Sequence, residues 1–241
     1  VSEAMRLRNT ILRNLEKALT EEDPTRKQAL MNIVVVGGGA SGVEIAGAVA
    51  EMKKNIIARD YPDLDSSQMH IYLVNASDRL LSAMDPMSSK RAEADLKELH
   101  VHIRQPQFAT EYKDGILKTS AGLEIPTQTV IWVSGICANK IAGFPAESIG
   151  HAGRLLTDRF CRVKGLKDVY AIGDISLIEG DEEYPLGHPQ LAQVAMQQAK
   201  TVAKNLKAIA KGEEPKPFKY KNLGVMATIG RNHAVAEIAG K

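Results

Sequence analysis

At 241 residues, and with roughly 100–200 residues to a domain, the chain has room for one large domain or a small one plus part of another. Lys and Arg number 31 against 29 Asp and Glu, a formal charge of +2, which excludes the bulk field that recruits nucleic acid or an anionic membrane nonspecifically. Hydrophobic residues at 44% and charged residues at 25% exclude wholesale disorder and imply a water-soluble fold with a real core.

The chain opens at Val1 inside a helical pattern, with no basic leader ahead of an apolar segment, and reads as a piece of a longer protein. Leu7, Ile11, Leu15 and Leu19 recur every four residues, the stripe of an amphipathic helix stopped by Asp23-Pro24. Ile33-Val34-Val35-Val36 is a β-branched run without polar alternation, as in a strand buried on both faces of a parallel sheet. Glycines follow at once, and from Ala40 to Lys54 the spacing of Val43, Gly47 and Ala50 is helical. The stretch from Ile33 to Ala50 is poor in charge, but Glu44 and five glycines exclude a membrane span.

The pattern repeats: Ile71–Val74 is a strand, and Asp85-Pro86 opens a helix with Ala92, Leu96 and Leu99 on one face. Val101-His102-Ile103 makes a third strand; His100 and His102 would share one of its faces and, lacking a third ligand, are structural. Phe108–Ser120 forms a hairpin around Asp114-Gly115, so a β-meander replaces a crossover helix. Thr129–Val133 reads as another buried strand, ending at Ser134-Gly135 where the backbone can turn or approach a ligand. The fold class is therefore α/β, with a mononucleotide-binding unit at its centre.

Further on come a short strand at Val169–Ile172 and a helix from about Pro189 to Ala210 with Leu191, Val194, Val202, Leu206 and Ile209 as its apolar face. After a polar linker over 211–221, Val225–Ile229 and Ala234–Ile238 form two strands joined around Gly230. Cys137 and Cys161 stand 24 positions apart, without redox-pair or metal-ligand spacing, as expected in a reducing compartment.

Gly37, Gly39 and Gly42 form G-x-G-x-x-G between a buried strand and a helix, the context in which this weak pattern acquires meaning. The first glycine makes the turn, the second lets backbone approach a diphosphate, and the third lets helix and strand pack, while the helix N-terminus supplies amides and partial positive charge. An acid that accepts from the adenine ribose usually ends the second strand; here that residue is Asn75, 33 positions past Gly42, so discrimination of NADH from NADPH loses its repulsive charge. Arg79 is either a 2′-phosphate contact or a solvated side chain. Glu44, placed in the first helical turn, suits the dipole and equally suits the nicotinamide end of a cofactor. Gly173-Asp174 ends a strand with a carboxylate that either accepts from sugar hydroxyls or caps the chain. Gln193 and Gln197 share a helix face, where their amides either cap and solvate or bond a carbonyl-bearing apolar ligand.

Together these segments resemble the type II NADH dehydrogenases, flavoproteins with two dinucleotide-binding domains. The resemblance rests on Val35–Glu44, Thr129–Trp132, Tyr170–Asp174, Ala192–Gln198 and Met226–Gly230, of which the Ala-Gln-x-Ala-x-Gln-Gln run is the most specific. It implies an NADH-binding Rossmann-like domain over 31–138 and a partial, discontinuous FAD- and quinone-binding domain from 1–30 and 139–241. It implies NADH at Gly37, Gly38, Gly39, Gly42, Asn75 and Gly135, and FAD at Gly173, Asp174, Gln193, Val194 and Ala195. Glu44, Gln193 and Gln197 would serve catalysis, with no metal.

The implied chemistry is hydride transfer from NADH to FAD and two electrons onward to a membrane quinone, without proton pumping. The implied setting is the cytoplasmic face of an inner membrane, reached through a segment lying outside this chain, with a homodimer left open. Asn75 and Ala199 depart from the family pattern, and with the family's first strand-Gly-helix unit not in the chain, it is expected neither to retain FAD nor to turn over alone. Two other readings stand beside this one: a soluble flavoprotein reductase of ferredoxin or disulfide type, and a noncatalytic nucleotide-sensing module.

Overall fold

The computed structural model describes residues 2–238, so the expected helical start at Val1 falls outside the described residues. The chain packs as two compact units: one takes in the chain up to Gly135 and again from Gly224, and Ile136–Leu223 form the other.

In the first unit, α1 (Ser2–Thr20) ends before Asp23, whose carboxylate accepts from the Thr25 and Arg26 amides and so starts α2 (Pro24–Met31). The same Asp-Pro pair that stops one helix thus caps a second one. The strand β1 (Ile33–Val36) leads into α3 (Ala40–Met52), which runs on through a π-helical turn (Lys53–Ile57) to the short α4 (Ala58–Asp60). Then come β2 (Ile71–Val74), α5 (Pro86–Glu98), β3 (Val101–Arg104), the meander strands β4 (Ala109–Lys113), β5 (Ile116–Thr119) and β6 (Glu124–Pro126), and β7 (Thr129–Trp132). The sheet order is β3-β2-β1-β7, every neighbouring pair parallel, with Val36 level with Val74 and Trp132. Asp114 and Gly115 both have positive φ, as a two-residue hairpin needs.

Alternate residues of the sheet serve two cores. Val34, Val36 and Val74 face the meander residues Leu117 and Ile125. On the other face Ile33, Val35 and Leu73 pack with Leu15, Ala46 and Leu96 from the helices. The same core takes in Ala227 and Ile229 of the C-terminal hairpin, β10 (Val225–Ile229) and β11 (His233–Glu237). Gly47 permits this: a Cβ there would lie 2.5 Å from the Gly230 nitrogen, so α3 rests directly on the hairpin.

In the second unit a two-stranded parallel pair, β8 (Leu155–Thr157) and β9 (Ser176–Ile178), precedes α6 (Ala192–Ala210). Several expectations are corrected here. Val169–Ile172 is not a strand: Tyr170 makes a single bridge with Arg162 and the Ala171 amide donates to Cys161. Leu206 and Ile209 of α6 are 47% and 46% exposed, and the buried face is Val194, Gln198 and Asn205. In α1, Leu19 is likewise exposed and Ala18 buried. His100 precedes β3 in a positive-φ turn, so it does not share a strand face with His102.

Candidate functional site

The glycine turn lies at the carboxyl end of β1. Gly37 has φ +120 and its amide donates to the Val74 carbonyl at 2.8 Å. A Cβ there would stand 2.9 Å from the Val133 carbonyl oxygen, so the segment ending at Gly135 packs straight across the turn. At Gly42 a Cβ would overlap the Gly37 carbonyl oxygen, which is why the helix can press against the strand end. Gly39 is different. It is the exposed N-cap of α3, no side chain caps the helix, and no atom lies within 4 Å of where its Cβ would be. Ala40 and Ser41 are exposed beside it, so the helix N-terminus presents amides and the positive end of its dipole to open space. Gly135, φ +95 and also exposed, has equally open surroundings.

Asn75 is buried under this turn. Its Oδ1 accepts the Gly38 amide at 3.2 Å, and its Nδ2 reaches the carbonyls of Ser77 and Arg79, each at 3.0 Å. Arg79 is neither solvated nor free for a phosphate: its guanidinium donates to the carbonyls of Met84 and Ser82 and to Ser89 Oγ, closing the loop between β2 and α5. Glu44 stands one turn into α3, since the helix begins at Ala40, and its Oε1 accepts the Thr228 amide of the hairpin at 3.3 Å. Behind it, Asp95 of α5 is buried and pairs with Arg91 at 2.9 Å and His233 at 3.3 Å, tying α5 to β11. His102 meets His70 at 3.3 Å; burial pushes both imidazoles below the usual histidine range, and Lys53 adds to this.

In the second unit Gly173, at φ +73, and Asp174 open a 3-10 turn. The Gly173 amide donates to Gln198 Oε1 at 2.6 Å, and Gln190 Nε2 donates to the Asp174 carbonyl at 3.1 Å. Ala195 sits so close that a Cβ on Gly173 would come 3.2 Å from its own. The Asp174 carboxylate is therefore exposed on a turn whose backbone is fastened at both residues. Arg154, buried nearby, donates through Nε and Nη2 to the Ser176 carbonyl; desolvation lowers its pKa and Asp174 raises it.

Gln193 accepts the Leu223 amide, and Gln197 both accepts from and donates to the Lys221 backbone, at 2.9 Å each. These two amides hold the chain that follows α6, and Val194 is in the core between them. Sequence reasoning missed Gln198, Gln190 and Arg154. The one available signal was Gln198, a polar residue four positions from Val194 and so on the apolar face. His188, also buried, stacks on Tyr184 at 4.6 Å and lies 3.5 Å from Asp181; burial lowers its pKa more than Asp181 raises it. Both cysteines are free. Among the described residues no cluster of acidic, histidine and cysteine side chains suits a metal, and no helix is long and apolar enough to cross a membrane.

Residues 7–199 match the model of the pyridine nucleotide-disulphide oxidoreductase family. The type II NADH:quinone oxidoreductase Ndh of Mycobacterium tuberculosis is 32% identical over 99% of this chain and 52% of its own length. That of Haemophilus influenzae is 29% identical over 88% and 47%. The chain thus spans about half the length of the curated relatives it matches. Among solved structures, NDH2 of Plasmodium falciparum in complex with NADH aligns with all of this chain and 64% of its own, at a TM-score of 0.88 and 17% identity. A ferredoxin reductase of Rhodopseudomonas palustris aligns with 88% of this chain and 48% of its own, at a TM-score of 0.64 and 20% identity. The α/β fold of this chain, with its parallel four-stranded sheet and a small antiparallel one, matches that of the NDH2 structure. With four-fifths of its length matched by the family model, this chain belongs to the pyridine nucleotide-disulphide oxidoreductase family.

Proposed function

We propose that the chain binds NADH at the glycine turn and forms part of a flavin-dependent NADH:quinone oxidoreductase. The observation that carries this is the open N-terminus of α3. Gly39 and its neighbours expose backbone amides where a diphosphate can approach, and Gly37 and Gly42 remove the side chains that would force the turn apart. Gly38, Asn75 and Gly135 complete the nucleotide site within 31–138, and Glu44 is assigned to the nicotinamide end.

For FAD the fit is favourable at one place: a positive-φ glycine followed by an exposed carboxylate on a fastened turn suits a ligand rich in sugar hydroxyls. Gly173, Asp174, Val194 and Ala195 are assigned to it, within 1–30 and 139–241. Bound FAD supplies a carrier that takes two electrons as hydride from NADH and releases them to a quinone. The residues of this chain bind, orient and exclude water. Gln193 and Gln197, neighbours on one face of α6 that hold the Leu223 and Lys221 backbone, are assigned to the quinone carbonyl. The quinone reading draws on relatives named as quinone oxidoreductases.

Titrating the 241-residue chain with NADH tests the first step. Trp132, the single tryptophan, ends β7 and is 59% exposed, so its emission reports transfer to bound dihydronicotinamide. Quenching that saturates with NADH and that AMP alone does not produce is expected; no saturation at millimolar NADH refutes the reading.

A further inference from the structure

We propose that Asn75 is a positioning residue that sets the glycine turn from beneath, and that it acts as a hydrogen-bond donor where a ribose-reading residue acts as an acceptor. The inference rests on the nucleotide-binding reading and deepens it. Asn75 is 6% exposed and its backbone is fixed on both sides, its amide donating to Arg104 and its carbonyl accepting from Gln107, each at 2.9 Å. Its Oδ1 takes the Gly38 amide, while its Nδ2 stands 3.0 Å from the Ser77 and Arg79 carbonyls and 3.3 Å from Gln105 Oε1. Three acceptors surround one end of the carboxamide and one donor meets the other, so the network itself dictates which way the amide faces.

The Gly38 peptide is held at its second end as well, its carbonyl accepting the Leu81 amide at 2.8 Å. One segment, 75–81, therefore grips both polar groups of Gly38, and Gly38 has no room for a side chain because a Cβ would overlap the Asn75 carboxamide. The Gly38 amide is spent inward, which leaves the outward amides from Gly39 onward to meet a ligand. A carboxylate at position 75 would still accept from Gly38. It would also set a negative oxygen against three acceptors, with no proton to share among them. The acid that discriminates the 2′-hydroxyl in many dinucleotide sites is thus incompatible with this loop. A neutral amide here governs how well any dinucleotide binds and not which one.

The test uses the 241-residue chain and its Asn75→Asp and Asn75→Ser variants, with NADH and NADPH as probes and Trp132 emission as the readout. Asn75→Asp is expected to weaken both dinucleotides by the same factor, about tenfold or more, the equivalent of one lost charge-assisted bond. The NADH-to-NADPH ratio stays within about twofold of the unsubstituted chain, one tenfold step being 1.4 kcal/mol. Calorimetry with NAD+ should show the Asp variant recovering affinity as the solution is acidified, because a protonated carboxyl can again donate to Ser77 or Arg79; a residue that only fills space has no such recovery. Asn75→Ser, whose hydroxyl donates and accepts, keeps the fold and shows a smaller loss, equal for the two probes. Selective loss of NADPH in the Asp variant, or unchanged affinity for both, overturns the proposal while leaving nucleotide binding intact. Failure of the unsubstituted chain to bind either probe overturns the nucleotide reading and this proposal together.

Discussion

Replacing Gly39 with alanine separates the fold of the glycine turn from its binding of a ligand. Gly39 has φ −75 and ψ −175, which alanine adopts freely, and no atom stands within 4 Å of the added Cβ. The substitution costs about 0.5–1 kcal/mol at the N-cap, and restricting the unfolded chain offsets most of it, by about 0.4–1 kcal/mol. The melting temperature should therefore move by no more than about 2–4 °C. The methyl group nonetheless fills the space through which a diphosphate must approach the α3 amides. Losing one hydrogen bond to a charged oxygen costs about 1.5–3 kcal/mol, so NADH affinity should fall by about 10- to 100-fold. Gly42→Ala is the contrasting variant, because its Cβ would overlap the Gly37 carbonyl oxygen. Overpacking of that kind costs about 1–3 kcal/mol in the fold itself, and the melting temperature should drop with the affinity. Trp132-monitored NADH titration and calorimetric melting of the same samples give both quantities. A Gly39→Ala chain that binds NADH as tightly as the unsubstituted one would refute the reasoning.

Gln198→Met keeps the volume of a residue 1% exposed but removes the acceptor of the Gly173 amide; about 1–3 kcal/mol of stability should be lost, with faster hydrogen exchange at Gly173 than at core strands. Asp95→Ala strips Arg91 and His233 of a buried partner, and a melting temperature lowered by several degrees, with exchange rising along β11, is the expected result. The Cys161 thiol, buried and pushed up to about 12, should resist an aromatic disulfide reagent at neutral pH until the chain unfolds, whereas exposed Cys137 reacts at once; two fast thiols per chain would contradict the packing. His188, His70 and His102 all have imidazoles held below their ordinary range, so the unfolded chain binds more protons in the window just under pH ~6.5. Stability contributed by their neutral forms is complete above that window and declines as pH falls through it, which denaturant titrations at stepped pH would show as a falling midpoint.

The sequence disclosed those parts of the fold whose pattern is local and repetitive. Ile33–Val36, Ile71–Val74 and Thr129–Trp132 are apolar runs because both faces of a parallel sheet are covered, and each is a strand of that sheet. Asp114-Gly115 named its hairpin because only such residues take two positive φ angles cheaply. The Gly37–Gly42 turn was legible for a related reason: its three spaced glycines have three separate steric causes, at two of which the structure has no room for a Cβ. What escaped notice is held by isolated hydrogen bonds outside any ladder. Val169–Ile172 is as apolar as a strand, yet its one bridge partner, Arg162, allows no ladder to extend. Leu206 and Ile209 continue an apolar period that the fold does not use; the neighbouring Asn205 is buried instead, accepting the Lys216 amide and donating to the Lys216 carbonyl.

The same device recurs in several irregular segments of the chain. Gln197 grips the Lys221 backbone through one acceptor and one donor, Asn205 grips Lys216 in the same way, and Asn75 joins the Gly38 amide to the carbonyls of Ser77 and Arg79. A neutral carboxamide presents to a peptide group what a neighbouring strand would present, a donor and an acceptor side by side, and carries no charge that burial would penalise. A carboxylate offers only acceptors and an ammonium only donors, so neither satisfies both halves of a peptide bond. This explains why polar residues lie on the buried face of α6 and under the glycine turn, where hydrophobic periodicity foresees none. The buried amides stand where the backbone must keep a shape that no ladder enforces, and Gly38 and Gly173, each held in this way, both belong to turns assigned to a nucleotide.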